Sequence, residues 1–417
     1  MRFFHLADLH LGKSLYGYSL IDEGDQPYWV DRLLEAADQY QPDAVVIAGD
    51  VYDRAVPPKE AVALLDRLLT ALSRRNIPVL MVAGNHDSGP RLAFASGLLE
   101  REGVYIAGEC QKELPQVTLE DEHGPVTFWL MPYLFPAAVR FALDREDLTT
   151  YDQAVRALLE AQPIDTARRN VLVAHQFVVS GSAEPERDGS ETAVGGVGQV
   201  DASAFSAFDY VALGHIHGAQ KIGRETVRYG GSPLPYSFSE VGQCKGVTLV
   251  ELGEKGQAEI QRIELPELHR MRQVKGTLEE LLALGTENVS LREDYLRAVL
   301  TDVQMPPRAM ERLRAVYPNL MEVARELPQA TQRSAGRMTQ VKEQPLEDLF
   351  WDFYTHQAGE VPDQAQTELA AFAAEQARQG TLPELRRGER TDKETLALVD
   401  FALRRFGEEE QPCDPKN

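Results

Sequence analysis

A layered α/β domain, followed by a small α+β unit and a helical C-terminal segment, is the fold predicted by this 417-residue sequence. Three observations carry that prediction. Up to about residue 265, short β-rich apolar runs alternate with helical stretches, the pattern of an α/β layer. From 266 to 335 the pattern becomes a small mixture of strand and helix. Beyond a polar stretch at 329–342, aromatic stripes recur at helical spacing. The resulting division is 1–265, 266–335, a linker at 336–344 and a helical segment at 345–410.

In the first domain the runs 2–7, 44–48, 79–83, 171–174 and 210–213 are each four to six residues long and rich in Val, Ile, Leu or Phe. Such runs suit strands buried on both faces. Helices are expected at 31–40 and 59–75, and a late strand at 246–252. In the second unit, 295–301 alternates like a strand, 307–316 reads as a helix with Pro307 in its first turn, and 320–325 reads as a second strand. Pro345 then opens a helix with Leu346, Leu349, Phe350 and Phe353 on one stripe, widened by Trp351 and Tyr354. Thr391 and Glu394 form a capping box before Leu396, Val399, Leu403 and Phe406. Such stripes fit either a docked helical hairpin or a module that binds a partner's groove.

Composition bounds the class. With 43% hydrophobic and 26% charged residues the chain is globular. No stretch reaches the roughly 20 apolar residues that span a bilayer, and the N-terminus does not read as a secretory signal, so a cytoplasmic location is expected. Cys110, Cys244 and Cys413 are scattered and match neither a disulfide frame nor a zinc site. The net charge of −22 opposes a nucleic-acid partner. Its distribution softens that objection: residues 1–270 carry 24 basic and 39 acidic side chains, 271–335 carry 9 and 9, and 336–417 carry 10 and 17. Bound divalent ions would add positive charge locally.

The informative residues come directly after the five apolar runs. The runs lead into Asp8-Leu9-His10, Gly49-Asp50, Gly84-Asn85-His86-Asp87, His175 and Gly214-His215-Ile216-His217. Ligands of an open α/β sheet bind outside the carboxyl ends of its strands, so all five clusters are expected at one rim. Asp8 and His10 are two apart, as are His215 and His217; in extended chain both members of each pair face the same way. A mixture of carboxylate, amide and imidazole donors is too nitrogen-rich for calcium or a magnesium-only site and suits manganese, iron or zinc. The donors outnumber what one ion needs. Two ions, roughly 3.5–4 Å apart, would clamp the attacking and leaving oxygens of an in-line displacement at phosphorus, with a bound water as attacker. Any one cluster is common by chance, but five in order are not.

These residues resemble the calcineurin-like metallophosphoesterases, whose pattern is D-x-H, GD, GNH, a lone H and G-H-x-H. The resemblance covers about the first 250 residues. It implies two central β-sheets flanked by helices. It also implies two Mn2+, with Mg2+, Fe2+ or Zn2+ as substitutes: Asp8, His10 and His217 on the first ion, Asn85, His175 and His215 on the second, and Asp50 bridging. His86 is then the catalytic residue, touching the scissile phosphate instead of metal, a task suited to an imidazole near neutral pH. Asp53 stands where some relatives carry histidine, which leaves it a role in orienting a ligand.

Asp8-Leu9-His10-Leu11-Gly12-Lys13, Gly49-Asp50-Val51-Tyr52-Asp53 with Pro57-Pro58, and Gly231-Ser232-Pro233-Leu234-Pro235-Tyr236-Ser237-Phe238 narrow the resemblance. They look like the nuclease subunits that act with an SMC-like ATPase in bacterial DNA-repair complexes. That implies exonuclease action on duplex ends, endonuclease action on hairpins or single strands, a homodimer, and nucleoid association. It also implies a DNA-capping role for 266–335 and ATPase binding by the Leu346, Leu349, Phe350, Phe353 helix.

A phosphatase or small-molecule phosphodiesterase of the same fold is the nearest rival, since Asp50-Val51-Tyr52-Asp53-Arg54 resembles the phosphatase Gly-Asp-x-x-Asp-Arg-Gly. Here, however, Ala55 replaces the last glycine, and Asp87 stands where those enzymes carry glutamate. A catalytically inactive scaffold is the other alternative. Gly12-Lys13-Ser14 mimics the end of a P-loop, but the full motif is absent. His5, His123, His269 and His356 match no motif.

Overall fold

In the computed structural model, residues 1–187 and 198–326 are described. Met1–Arg325 make up one compact unit. Its centre is two six-stranded sheets. The first runs in the order Ala258–Glu264, Gly246–Leu252, Arg2–Leu6, Ala44–Ala48, Val79–Val82, Val104–Ala107. The second runs Gln220–Ile222, Arg224–Tyr229, Tyr210–Gly214, Arg169–His175, Gly124–Met131, Gln116–Asp121.

Side-chain alternation sorts the layers. In the first sheet Phe4, Leu6, Val45, Ile47, Val79 and Met81 face helices Asp25–Tyr40 and Lys59–Ser73, packing with Trp29, Leu33, Leu65 and Leu68. Their neighbours Phe3, Val46, Ala48, Leu80 and Val82 face the other way and meet Phe128, Val171, Val173, Tyr210 and Ala212 of the second sheet. The outer face of the second sheet packs Leu172, Ala174, Val211 and Leu213 with Val139, Val155 and Leu158 from helices Pro136–Leu143 and Tyr151–Glu160. Strands buried on both faces read as unbroken apolar runs, which is why these are visible in the sequence. Each such side chain contributes about 1.5–3 kcal/mol of burial.

Elements depart from expectation for local reasons. The first helix begins at Asp25, six residues before the expected 31, because Pro27 lies in the first turn, where its missing N–H costs nothing. The helix expected at 307–316 is confined to Ala309–Arg314, since Arg308 at φ 55° is left-handed. Helix Tyr151–Glu160 has no counterpart among the expected elements, although Thr150 and Gln153 form a capping box at its start.

Met271–Gly276, Tyr295–Leu300 and Leu320–Arg325 form a three-stranded parallel sheet. Its own core contains Leu281, Leu296, Leu300, Leu313 and Tyr317. It is tied to the larger sheets through buried Asp25, which accepts hydrogen bonds from Tyr295 Oη (2.5 Å) and the His269 backbone N–H (3.3 Å). The linker at 336–344 and the segment at 345–410, with Leu346, Leu349, Phe350 and Phe353, lie outside the described residues, as do His356 and Cys413. Among the described residues, no helix is long and apolar enough to cross a membrane.

Candidate metal centre

The expectation of a single rim needs correction. Asp8, His10, Asp50, Asn85 and His86 come after strands of the first sheet, whereas His175 and His215–His217 close strands of the second. The carboxyl ends of the two sheets meet, and the site lies between them. Two glycines permit this approach: a Cβ on Gly49 would overlap the His175 ring, and one on Gly214 would overlap the Ala48 carbonyl.

The backbone at the site is not extended, contrary to the Asp-x-His expectation. Asp8 (φ 53°), His10 (φ 42°), Asp50 (φ 49°) and His215 (φ 101°) all occupy positive φ. This conformation costs about 1–3 kcal/mol per residue and clusters at functional sites. It is held by the Asp8 N–H donating to the Gly49 carbonyl (3.0 Å) and the His10 N–H donating to the Asp50 carbonyl (2.9 Å). Gln26 Nε2 donates to the His10 carbonyl (2.8 Å), and Tyr236 Oη to that of Leu9 (2.6 Å).

Two fully buried donor groups result, and a third at the mouth. Asp8, His10 and His217 have ligand atoms within 4.8 Å of one another, as do Asp8, Asp50 and His175; so do His10, Asp53 and the exposed His86. Asn85 Oδ1 lies 3.0 Å from His175 Nε2 and 3.0 Å from His215 Nδ1. Asp50, of the second group, also faces the first: its Oδ2 is 3.4 Å from His175 Nε2 and 3.7 Å from His10 Nε2. Its Oδ1 accepts from the His86 backbone N–H at 2.9 Å.

The rings are oriented from behind. His175 Nδ1 donates to the Ala48 carbonyl (2.8 Å), and His217 Nδ1 lies 3.2 Å from Glu240 Oε1; both arrangements turn Nε2 inward. His10 Nδ1 is 3.5 Å from Asp53 Oδ1, whose carboxylate pairs with Lys13 Nζ at 2.7 Å. His86 is 44% exposed at the mouth, with Nδ1 against the Asp53 carbonyl (3.0 Å) and Nε2 4.0 Å from Asp50 Oδ2.

Charge at the site is tightly coupled. Burial alone would raise Asp50, but the charge and hydrogen bonding of His175, with His10 and His86, hold its carboxyl well below the usual range. Burial lowers His175, yet Asp50 and Asp8 outweigh it and push the imidazole up to about 9. Burial raises Asp8 to about 7 against the pull of His175 and His217. It lowers His10 to about 4, and it lowers His215 to about 3 with the help of the His175 charge. Asp8 Oδ2 and His10 Nε2 are buried without a hydrogen-bond partner among the described residues. Native interiors seldom tolerate orphaned polar atoms, and cations seated in the two donor groups would satisfy them. The residues therefore fit divalent metal.

Three further residues support the site from outside the donor set. Asp87, within the Gly84-Asn85-His86-Asp87 cluster, accepts backbone N–H bonds from Val51, Tyr52 and Gly84 at 2.9–3.0 Å, clamping the loops that hold Asp50 and Asn85 together. Buried Glu240 and Lys245 belong to no motif. Of the histidines without a motif, His5 is a core residue bonded to Tyr210 Oη (3.0 Å) and the Leu213 carbonyl (3.1 Å).

Residues 1–219 match the calcineurin-like phosphoesterase family, and residues 267–358 match a family described as the type 5 capsule protein repressor C-terminal domain. The chain is 30% identical over 372 residues to the SbcD component of the nuclease SbcCD of Staphylococcus epidermidis (strain ATCC 12228 / FDA PCI 1200), covering 88% of this chain and 96% of that protein. It is 34% identical over 331 residues to the same component from Staphylococcus saprophyticus subsp. saprophyticus (strain ATCC 15305), covering 78% and 85%.

Proposed function

Because this chain belongs to the calcineurin-like phosphoesterase family, and within it to the SbcD nucleases of the SbcCD type, we propose that it is a two-metal DNA nuclease that acts with an SbcC-type ATPase. The observation that carries this reading is the meeting of six donor side chains from two sheets around Asp50, with buried polar atoms left for cations to satisfy. Asp8, His10 and His217 would hold one ion and Asn85, His175 and His215 the other, with Asp50 shared between them. The oxygen and imidazole mixture favours manganese, with iron or zinc as substitutes. Ions seated there would supply Lewis-acid polarisation of a phosphodiester and an acidified water.

The chain's own residues do the rest. Asp50 keeps its charge at neutral pH, and its Oδ2 faces both His10 and His175. His86 faces the mouth with its Nδ1–H engaged by the Asp53 carbonyl; as the imidazolium, its Nε2–H would hydrogen-bond a phosphate oxygen or pass its proton to the leaving oxygen. Asp53, paired with Lys13, holds His10 from behind.

Residues 266–335 are assigned to DNA capping and 345–410 to ATPase binding. A homodimer is part of the same proposal, as are action on duplex ends and hairpins and a cytoplasmic, nucleoid-associated location. Exposed Phe94 (79%), Leu98 (67%) and Phe141 (92%) offer apolar surface for association. The test is product analysis on an end-labelled hairpin duplex with manganese, with and without the ATPase and ATP, beside a phosphomonoester. Opening of the hairpin and shortening of the duplex are expected; faster monoester cleavage would favour a phosphatase.

A further inference from the structure

Behind His217 lies a buried chain of charged groups that the proposed reaction does not use. Glu240 is 1% exposed and Lys245 3%. Glu240 Oε1 is 3.2 Å from His217 Nδ1, and Oε2 accepts from Lys245 Nζ at 2.6 Å. Lys245 Nζ also donates to the His217 carbonyl (3.1 Å), Ser232 Oγ (2.7 Å) and Gln243 Oε1 (2.8 Å). The Tyr236 N–H donates to Glu240 Oε2 at 3.2 Å.

Taking a carboxylate and an ammonium out of water costs several kcal/mol each, and apolar residues of similar volume often stabilise a fold as well or better. Packing alone therefore does not account for this pair. What it provides is a fixed acceptor for one ring nitrogen of His217. That holds the proton on Nδ1, leaves Nε2 as the lone-pair nitrogen, and sets the ring angle. A looser version stands behind His10, where Asp53 lies at 3.5 Å and pairs with Lys13, with both side chains about a fifth exposed. Behind His175, Nδ1 meets a neutral carbonyl instead.

We propose that Glu240, locked by Lys245, is a positioning residue for the metal position formed by Asp8, His10 and His217. This rests on the reading of that triad as a metal position. A carboxylate behind the imidazole makes Nε2 a stronger donor than a carbonyl does, so this position binds its ion more tightly because of Glu240.

The test is a titration of chelator-treated full-length protein with Mn2+, followed by calorimetry and by electron paramagnetic resonance, which distinguishes a spin-coupled ion pair from isolated ions. Wild type is expected to take two ions and give the coupled spectrum. Glu240→Ala should weaken one of the two affinities about 10–100-fold and lose the coupled spectrum at manganese levels that saturate wild type. Glu240→Gln keeps an oxygen for the Nδ1–H and should recover most of the loss. Gln243→Ala removes one acceptor of Lys245 Nζ, leaves the Glu240 carboxylate facing His217, and should leave both affinities in place. Two wild-type affinities in both Glu240 variants would overturn the inference, and so would an equal loss in Gln243→Ala. If Glu240→Ala does not fold, Glu240→Gln and Lys245→Met carry the same comparison. Fewer than two ions in wild type would overturn the metal-centre reading itself.

Discussion

Asp50 Oδ2 and His175 Nε2 stand 3.4 Å apart, although one comes after a strand of the first sheet and the other closes a strand of the second. Their charges are mutually dependent: Asp50 raises the imidazole, and the imidazole lowers the carboxyl. This contact lies within the second buried donor group, Asp50 Oδ2 also faces His10 Nε2 of the first at 3.7 Å, and the inter-sheet packing is thereby part of the site.

Removing the shared oxygens should therefore empty both positions. Asp50→Ala is expected to lower bound manganese from two ions to below one per chain, with loss of cleavage. Elemental analysis after gel filtration reads this, and an unchanged stoichiometry would contradict the bridge.

His86 should separate chemistry from metal binding. His86→Ser is expected to reduce cleavage about 10²–10⁴-fold, the scale of a lost proton-transfer group, while metal content stays at the wild-type level. Loss of both would place His86 among the ligands.

Metal uptake should release protons. Metal-free His175, raised to about 9, and Asp8, raised to about 7, hold protons at neutral pH that a cation must displace, whereas His10 and His215, lowered to about 4 and 3, do not. Manganese affinity should thus rise with pH between about 7 and 9. Calorimetry at pH 7 in buffers of different ionisation enthalpy should give roughly one to two protons released; none would show that the donors are already deprotonated.

Close backbone approach should be as necessary as the ligands. Gly214→Ala drives a Cβ into the Ala48 carbonyl and crowds His175, so about 1–3 kcal/mol of destabilisation and weakened manganese binding are expected. Gly218→Ala meets only the ends of Gln220 and Gln243 at 3.4 Å and should be tolerated. Equal melting temperatures and metal affinities for the two variants would refute this.

The partner surface has its own test. Phe350→Glu should release an SbcC-type ATPase in a pull-down while manganese-dependent cleavage by the isolated chain persists, because a charge in an apolar stripe opposes docking in a groove. Retained binding would return that helix to packing on its own chain.

Much of the fold was legible because double burial leaves an unbroken apolar run, as at Ala44–Ala48, where every residue is buried. The donor residues were legible because each cluster comes directly after such a run. Glu240 and Lys245 were not, since a buried ion pair has no spacing rule and its meaning depends on which groups meet in space. The left-handed backbone at Asp8 and His10 was equally hidden, because neither residue demands it locally; contacts with Gly49, Asp50 and Gln26 impose it.

The amino-acid order by itself therefore determined which residues could act as ligands and which strands would carry them, since periodicity and donor chemistry are local properties. Only the tertiary structure decided that those strands belong to two sheets, that their ends meet, and that His217 is backed by a buried charged pair. Those outcomes depend on how apolar faces pack against each other, and packing joins residues that the chain keeps far apart.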